Sequence, residues 1–345
     1  MKKKLQFLQT LRAFAALLVV YHHSRGLLAG VLGLQPENLP FSREGSIGVQ
    51  IFFIISGFIM VITTKNLPST NHYLSNSYHF LIKRFFRIFP LYFILTFVWT
   101  VTSGKILHFF SNYLYLDFLK SIFFIPYSQF PILLVGWTLN FEMFFYLMFG
   151  LSLLNLKLRY YILLIFYFII LIFRNFSFED FVLKMITDSI LDYFVVGILF
   201  GLIYPKLKIN AMLFNILLFV SVFVFVLYLF DVFVFDNHYL SVIIISFFTI
   251  SVILLDTYKT VLKPWPFLVY LGDISYSLYL VHLFFIILAG RLLFKFPILQ
   301  KVDFLIYILL FPVIFFATKF IHNTIEKKLS DKITNYFLNL KISKT

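Results

Sequence analysis

Apolar runs of about twenty residues recur from one end of this chain to the other, separated by short polar stretches. A bilayer core about 30 Å thick is crossed by roughly 20 residues of α-helix. The pattern therefore predicts spans near residues 5–24, 47–64, 86–103, 132–153, 160–174, 181–203, 211–230, 239–256, 266–290 and 303–321. The expected fold is all-α, a polytopic membrane helix bundle of about ten transmembrane helices. The stretch 106–127 is also apolar, with Pro126 and Pro131 at its end. It is either an eleventh crossing or a segment folded back in the interface.

Charge separates these options. With the N-terminus inside and ten spans, 19 of the 29 Lys and Arg residues fall in inner segments and 8 in outer loops, while Arg12 and Lys184 lie within spans. That asymmetry follows the positive-inside rule with both termini cytoplasmic. A further crossing at 106–127 would invert every later segment, so ten is the expected count.

Composition adds little beyond this. Hydrophobic residues make up 61% of the 345 and charged residues 13%, against about 25% charged in soluble domains. One integral-membrane domain over residues 1–345 is expected, with no appended soluble domain. The net charge of +14 sits in short clusters between apolar runs, which sets orientation in lipid and offers no stripe for nucleic acid. Absence of cysteine excludes disulfides and thiolate catalysis. No spacing of His and carboxylates matches a metal motif, so no metal is expected. The start Met1-Lys2-Lys3-Lys4 resembles a signal n-region, but Arg12 and His22-His23 break the pattern that cleavage needs, and a retained first helix is expected.

An ionisable side chain inside a span costs at least about 2.5–3.5 kcal/mol at the helix centre and marks a functional site by default. The candidates are Arg12, His22, His23, Glu142, Lys184, Asp188, Asp192, Asp273 and His282. Arg12 and His23 are eleven residues apart, three turns plus about 20°, so they share a face about 16 Å apart along the axis. They belong to a site, or else Arg12 snorkels and His23 caps the helix at the headgroups. Arg84 and Arg87, at i and i+3, project to one side, where their planar forks suit phosphate oxygens or simply anchor the third span. Glu142 follows Gly136-Trp137-Thr138-Leu139 and is expected ~15 Å into the fourth span, with Arg12 a partner by depth. Ser275, Tyr279 and His282 form a stripe at i, i+4 and i+7 that lines a polar cavity or bonds neighbouring helices. Asp188 and Asp192, at i and i+4, either share a proton or have the first neutralised by Lys184.

Taken in order, these fragments resemble a known family. Leu11-Arg12-Ala13-Phe14-Ala15-Ala16 with His23 is similar to the first-helix signature of bacterial acyltransferase family 3. Gln50-Ile51-Phe52-Phe53-Ile54-Ile55-Ser56-Gly57-Phe58 resembles its second-helix pattern, and Arg84 with Arg87 matches its RxxR before Pro-Leu-Tyr. Trp137-Thr138-Leu139 with Glu142, residues 271–282, and Glu326 after the last span resemble three further elements, although the Pro usual shortly after that Glu is missing. Residues 155–265 match in hydropathy only.

The resemblance implies a bacterial plasma-membrane enzyme that moves an acyl group, usually acetyl from cytoplasmic acetyl-CoA, to a carbohydrate at the outer face. Acyl-CoA would be a donor substrate, with no permanently bound cofactor. It implies Arg84 and Arg87 on the CoA phosphates, and His23 as general base or transient acyl carrier. Glu142 and Arg12 would serve it, with Trp137, Ser275, Tyr279 and His282 toward the substrate. The rival class is a transporter or flippase of a lipid-linked sugar, which would need neither acyl-CoA nor His23.

Overall fold

The computed structural model describes residues 5–40, 44–67, 73–103, 114–128, 130–232, 237–258 and 262–342. All regular secondary structure among them is helical. The helices are α1 (Gln6–Leu32), α2 (Glu44–Thr64), α3 (Tyr73–Thr102), α4 (Leu114–Ile122), α5 (Trp137–Ser152), α6 (Arg159–Phe173) and α7 (Phe181–Ile186). They continue with α8 (Leu191–Ile203), α9 (Ala211–Leu229), α10 (His238–Leu254), α11 (Pro266–Asp273), α12 (Ser275–Lys295), α13 (Asp303–Ile321) and α14 (Ser330–Ile342). Eight helical stretches are long and apolar enough to cross a membrane, and α6 and α10 are shorter apolar helices where the fifth and eighth spans are expected. The chain is a polytopic helical membrane protein.

Several boundaries differ from those the hydropathy predicts. Helix α1 runs eight residues past the expected end at 24, so His23 lies within the helix instead of capping it. Helix α3 begins at Tyr73, not near 86, which places Arg84 and Arg87 inside a helix and not at its mouth. Helix α5 begins at Trp137, so Glu142 is five residues, about 7.5 Å, from its start. In the stretch 106–127, residues 106–113 lie outside the described residues, and α4 is a nine-residue helix, about 13 Å, too short to cross. The expected sixth span breaks at residues 187–190, and the ninth breaks between Asp273 and Ser275. Apolar composition cannot show such breaks, because a helix and a break of equal hydropathy look alike.

The helices pack as two compact units, Met1–Ile62 with Asp192–Lys319, and Thr63–Leu191 with Phe320–Thr345. In the first, α1 packs against α10, α11 and α12. Its buried Ala13 and Ala16 meet Leu271, Ile274 and Leu278; small residues let backbones approach where lipid gives no hydrophobic drive between helices. Helix α2 crosses α8 on reciprocal glycines. A Cβ on Gly57 would lie 2.2 Å from the Phe194 carbonyl oxygen, and one on Gly197 would lie 2.1 Å from that of Ile54.

The start of α1 is held from afar. Leu5, before the helix, offers no side-chain cap. The carboxylate of Asp256, just past α10, accepts from the N–H groups of Gln6 at 2.7 Å, Phe7 at 3.1 Å and Leu8 at 3.1 Å. These are the donors a helix start leaves unsatisfied, and negative charge there also suits the helix dipole. Asp256→Ala is expected to cost about 1–2 kcal/mol, and Asp256→Asn much less. Thermal unfolding in detergent reads this as a Tm lowered by a few degrees for the alanine variant.

In the second unit α3 packs against α5, α14 and the π-helical turn His322–Leu329. Ser77 donates to the Gly150 carbonyl at 2.7 Å, and Phe86 stacks on Phe337 at 4.7 Å. The Glu326 of the C-terminal motif lies in that π turn, 2.8 Å from Nδ1 of His322.

Candidate active site

The predicted residues gather in two places, one in each unit. In the first, α1 carries His23 and α12 carries His282, 259 residues later. Nε2 of His282 is 3.1 Å from Nδ1 of His23. Each ring also faces the carbonyl one turn back: His23 Nδ1 is 3.0 Å from Val19 O, and His282 Nδ1 is 3.0 Å from Leu278 O.

These contacts determine the tautomers of the neutral pair. A carbonyl oxygen only accepts, so the nitrogen facing it carries the proton. His282 therefore donates from Nδ1 and presents a lone pair at Nε2. His23 donates from Nδ1, shared between Val19 O and His282. The lone pair of His23 is left on Nε2, which neither bond uses. His282 is fully buried while His23 is half-exposed, so His23 is the member of the pair that a reactant can reach.

Tyr279 is buried with its ring 6.1 Å from that of His282 and 6.3 Å from Phe52 of α2. His22 meets His23 edge-on at 5.2 Å. Ser24 donates to the Tyr21 carbonyl and lies 3.3 Å from the Tyr307 hydroxyl. Arg12 donates to Gln9 Oε1 at 3.2 Å. Ser275 opens α12, fully buried, and its hydroxyl has no partner among the described residues. The stripe of Ser275, Tyr279 and His282 thus forms as the spacing predicts, with all three side chains buried.

The second place lies on α3 and α5. The Tyr146 hydroxyl donates to Glu142, one turn earlier on α5. The Arg84 guanidinium stands 5.3 Å from the Tyr146 ring and 5.5 Å from that of Phe80, a cation–π arrangement. Glu142 and Arg87 both lie within its electrostatic reach. Trp137 begins α5 and meets Phe141 edge-on at 5.9 Å. Within the second unit, Tyr146 and Arg84 accompany Glu142.

Asp188 and Asp192 do not share one helix, because the break at 187–190 takes in Asp188. Asp188 accepts from the Ile190 N–H at 2.8 Å in a local turn, while Asp192 lies 2.8 Å from His238 Nε2. Tyr146 and Tyr307 of the two sites, and His238 beside Asp192, are polar groups that hydropathy does not single out. A tyrosine in an apolar run reads as one more aromatic, and His238 falls in an expected loop. A hydroxyl at i+4 from a buried carboxylate was the available signal for Tyr146.

The exopolysaccharide production protein ExoZ of Rhizobium meliloti (strain 1021) is 31% identical over 263 residues, covering 72% of this chain and 78% of the relative. No solved structure matches the chain. A family model described as an acyltransferase domain matches residues 5–321, a stretch that holds both sites, and the chain belongs to acyltransferase family 3.

Proposed function

We propose that this acyltransferase moves an acyl group, acetyl from acetyl-CoA, onto a hydroxyl of a cell-surface or exported polysaccharide. It would work in the bacterial plasma membrane with both termini cytoplasmic. The observation that carries this reading is the pairing of His23 with Val19 O at 3.0 Å and with the buried His282 at 3.1 Å, both through Nδ1, which leaves Nε2 for a reactant. A neutral imidazole is matched to proton transfer near neutral pH. In the proposed step Nε2 accepts the proton of the sugar hydroxyl as that oxygen attacks the thioester carbonyl. Collapse of the tetrahedral species breaks the carbon–sulfur bond, and the proton on His23 passes to the departing thiolate. The products are an O-acyl sugar and free CoA.

His282 acts in this reading as a positioning residue, since it touches the base and is itself buried. Tyr279, Ser275 and Trp137 are assigned to the substrate, and Glu142 and Arg12 to charge balance during transfer. The name of the Rhizobium relative supports a polysaccharide as acceptor. Detergent-purified protein, radiolabelled acetyl-CoA and alkali-deacylated polysaccharide from the source strain provide the test. Label in the polymer above a mock preparation supports the reading. No label from acetyl-CoA or succinyl-CoA would sink it and favour transport.

Arg84 and Arg87 are assigned to the nucleotide phosphates of the donor, where charge-assisted bonds are worth about 1.5–3 kcal/mol each. Arg87→Gln and Arg84→Ala are expected to raise KM for acetyl-CoA roughly 10-fold to 100-fold, with kcat changed far less. S-acetyl-pantetheine, which lacks the nucleotide, separates binding from folding. The variants and the parent should use it equally, and equal losses with both donors would count against the assignment.

A further inference from the structure

The first unit contains a second polar cluster that this chemistry does not use. At the start of α8, Asp192 is 2.8 Å from Nε2 of His238, which opens α10. The next residue, Tyr193, is fully buried and sets its ring edge-on to His238 at 5.9 Å. Its hydroxyl has no hydrogen-bond partner among the described residues, yet it lies within electrostatic reach of Asp192 and Tyr228. Tyr228 in turn donates to Ser241 at 2.9 Å. His238 is its exposed member, with 30% of the side chain accessible. The Tyr239 ring, 5.6 Å from that of His238, is 67% exposed.

Its height along the bundle follows from the register of α1 on α10. Asp256 caps α1 at Gln6, and Phe14 meets Phe248 at 6.0 Å. Phe14 is eight residues after Gln6 and Phe248 eight residues before Asp256, so the helices run antiparallel. From Phe14, His23 is nine residues on; from Phe248, His238 is ten residues back. At 1.5 Å per residue both lie about 14–15 Å further along the same direction. The two histidines are therefore level. Helix α2 touches both neighbourhoods, with Phe52 on Tyr279 of α12 and Phe53 stacked at 4.4 Å on Phe194 of α8.

We infer that Asp192, Tyr193 and His238 form a subsite for the hydroxyl groups of the acceptor sugar, at the level of the base His23 along the bundle. This deepens the proposed function and rests on it. A carboxylate, an imidazole and a phenol within one cluster offer the mixed acceptors and donors that a diol needs. The exposed face of Tyr239 suits the apolar face of a sugar ring, since tyrosine combines an apolar body with a polar tip. If the cluster only clamped α8 to α10, the Asp192–His238 pair would suffice. A buried phenol without a partner is costly, and a ligand hydroxyl would supply the missing bond.

The test is equilibrium binding of a fluorescently labelled, alkali-deacylated oligosaccharide from the source strain's surface polysaccharide. It uses detergent-purified protein without acyl-CoA, comparing the parent with Tyr193→Phe and His238→Gln. Binding at least tenfold weaker for Tyr193→Phe, which removes one oxygen and keeps the ring, supports the subsite. Parent-like binding by Tyr193→Phe overturns it, as does a parent that binds no glycan. Transfer kinetics separate the two readings. Active transfer with an unchanged acceptor KM in both variants rejects the subsite and leaves the enzyme. Glycan binding that the variants weaken, in a parent that transfers no acyl group, keeps the subsite and rejects the enzyme.

Discussion

His23→Ala is expected to lower acyl transfer by a factor of about 10²–10⁴, the usual contribution of a positioned general base, at unchanged expression and Tm. The half-exposed ring is held by two contacts, and neither carries the packing of α1. The small residues Ala13 and Ala16 and the Asp256 cap do that. His282→Ala is expected to cost less, about tenfold to a hundredfold, because Nδ1 of His23 keeps its bond to Val19 O and loses only the second anchor. Radiolabel transfer at saturating acetyl-CoA measures both. Equal activity of parent and His23→Ala would remove His23 from the chemistry. A burst of free CoA from the parent without acceptor, lost in His23→Ala, would assign it the acyl-imidazole role over that of general base.

The second large effect is structural. Gly272 sits one residue from the end of α11, pressed on the start of α1, and a Cβ there would lie 1.9 Å from the Gln9 carbonyl oxygen. That atom is helical backbone just inside the Asp256 cap, so it cannot swing aside as a side-chain tip would. Gly272→Ala must part α11 from α1, at a cost of roughly 3 kcal/mol or more, the upper end for overpacking. The expected result is a sharp fall in detergent-stable protein. Gly290→Ala is the control: there a Cβ meets only Leu27 Cδ2 at 3.5 Å, and a near-parent Tm is expected. Similar Tm values for the two variants would show that α11 yields easily. The same contact gives a physical reason for the glycine of the 271–282 motif, as Gly57 against Phe194 does for the Ser56-Gly57-Phe58 motif.

How much of the site was legible depends on the range of the forces involved. Arg12, His23, Glu142 and His282 stood out because charge in an apolar run is expensive wherever the run folds. Their partners did not stand out. Tyr146 of Glu142 and Tyr307 of Ser24 are ordinary in apolar segments. The i, i+4 spacing of Asp188 and Asp192 does not apply, because a helical spacing rule assumes an unbroken helix and residues 187–190 leave it.

By itself the sequence determined that this protein is a bundle of apolar helices, roughly how many, and which costly polar groups it buries. Those properties depend on the free energy of each segment in lipid, which is a sum over nearby residues. The tertiary structure decided where helices break, how far α1 and α3 run beyond their apolar cores, and which nitrogen of His23 keeps its lone pair. Contacts of this kind join groups distant in the chain: Asp256 with the start of α1, the Gln9 carbonyl with the glycine of α11, and His282 with His23. A hydrogen bond acts over about 3 Å of space, and distance in space is what the linear order of residues does not contain.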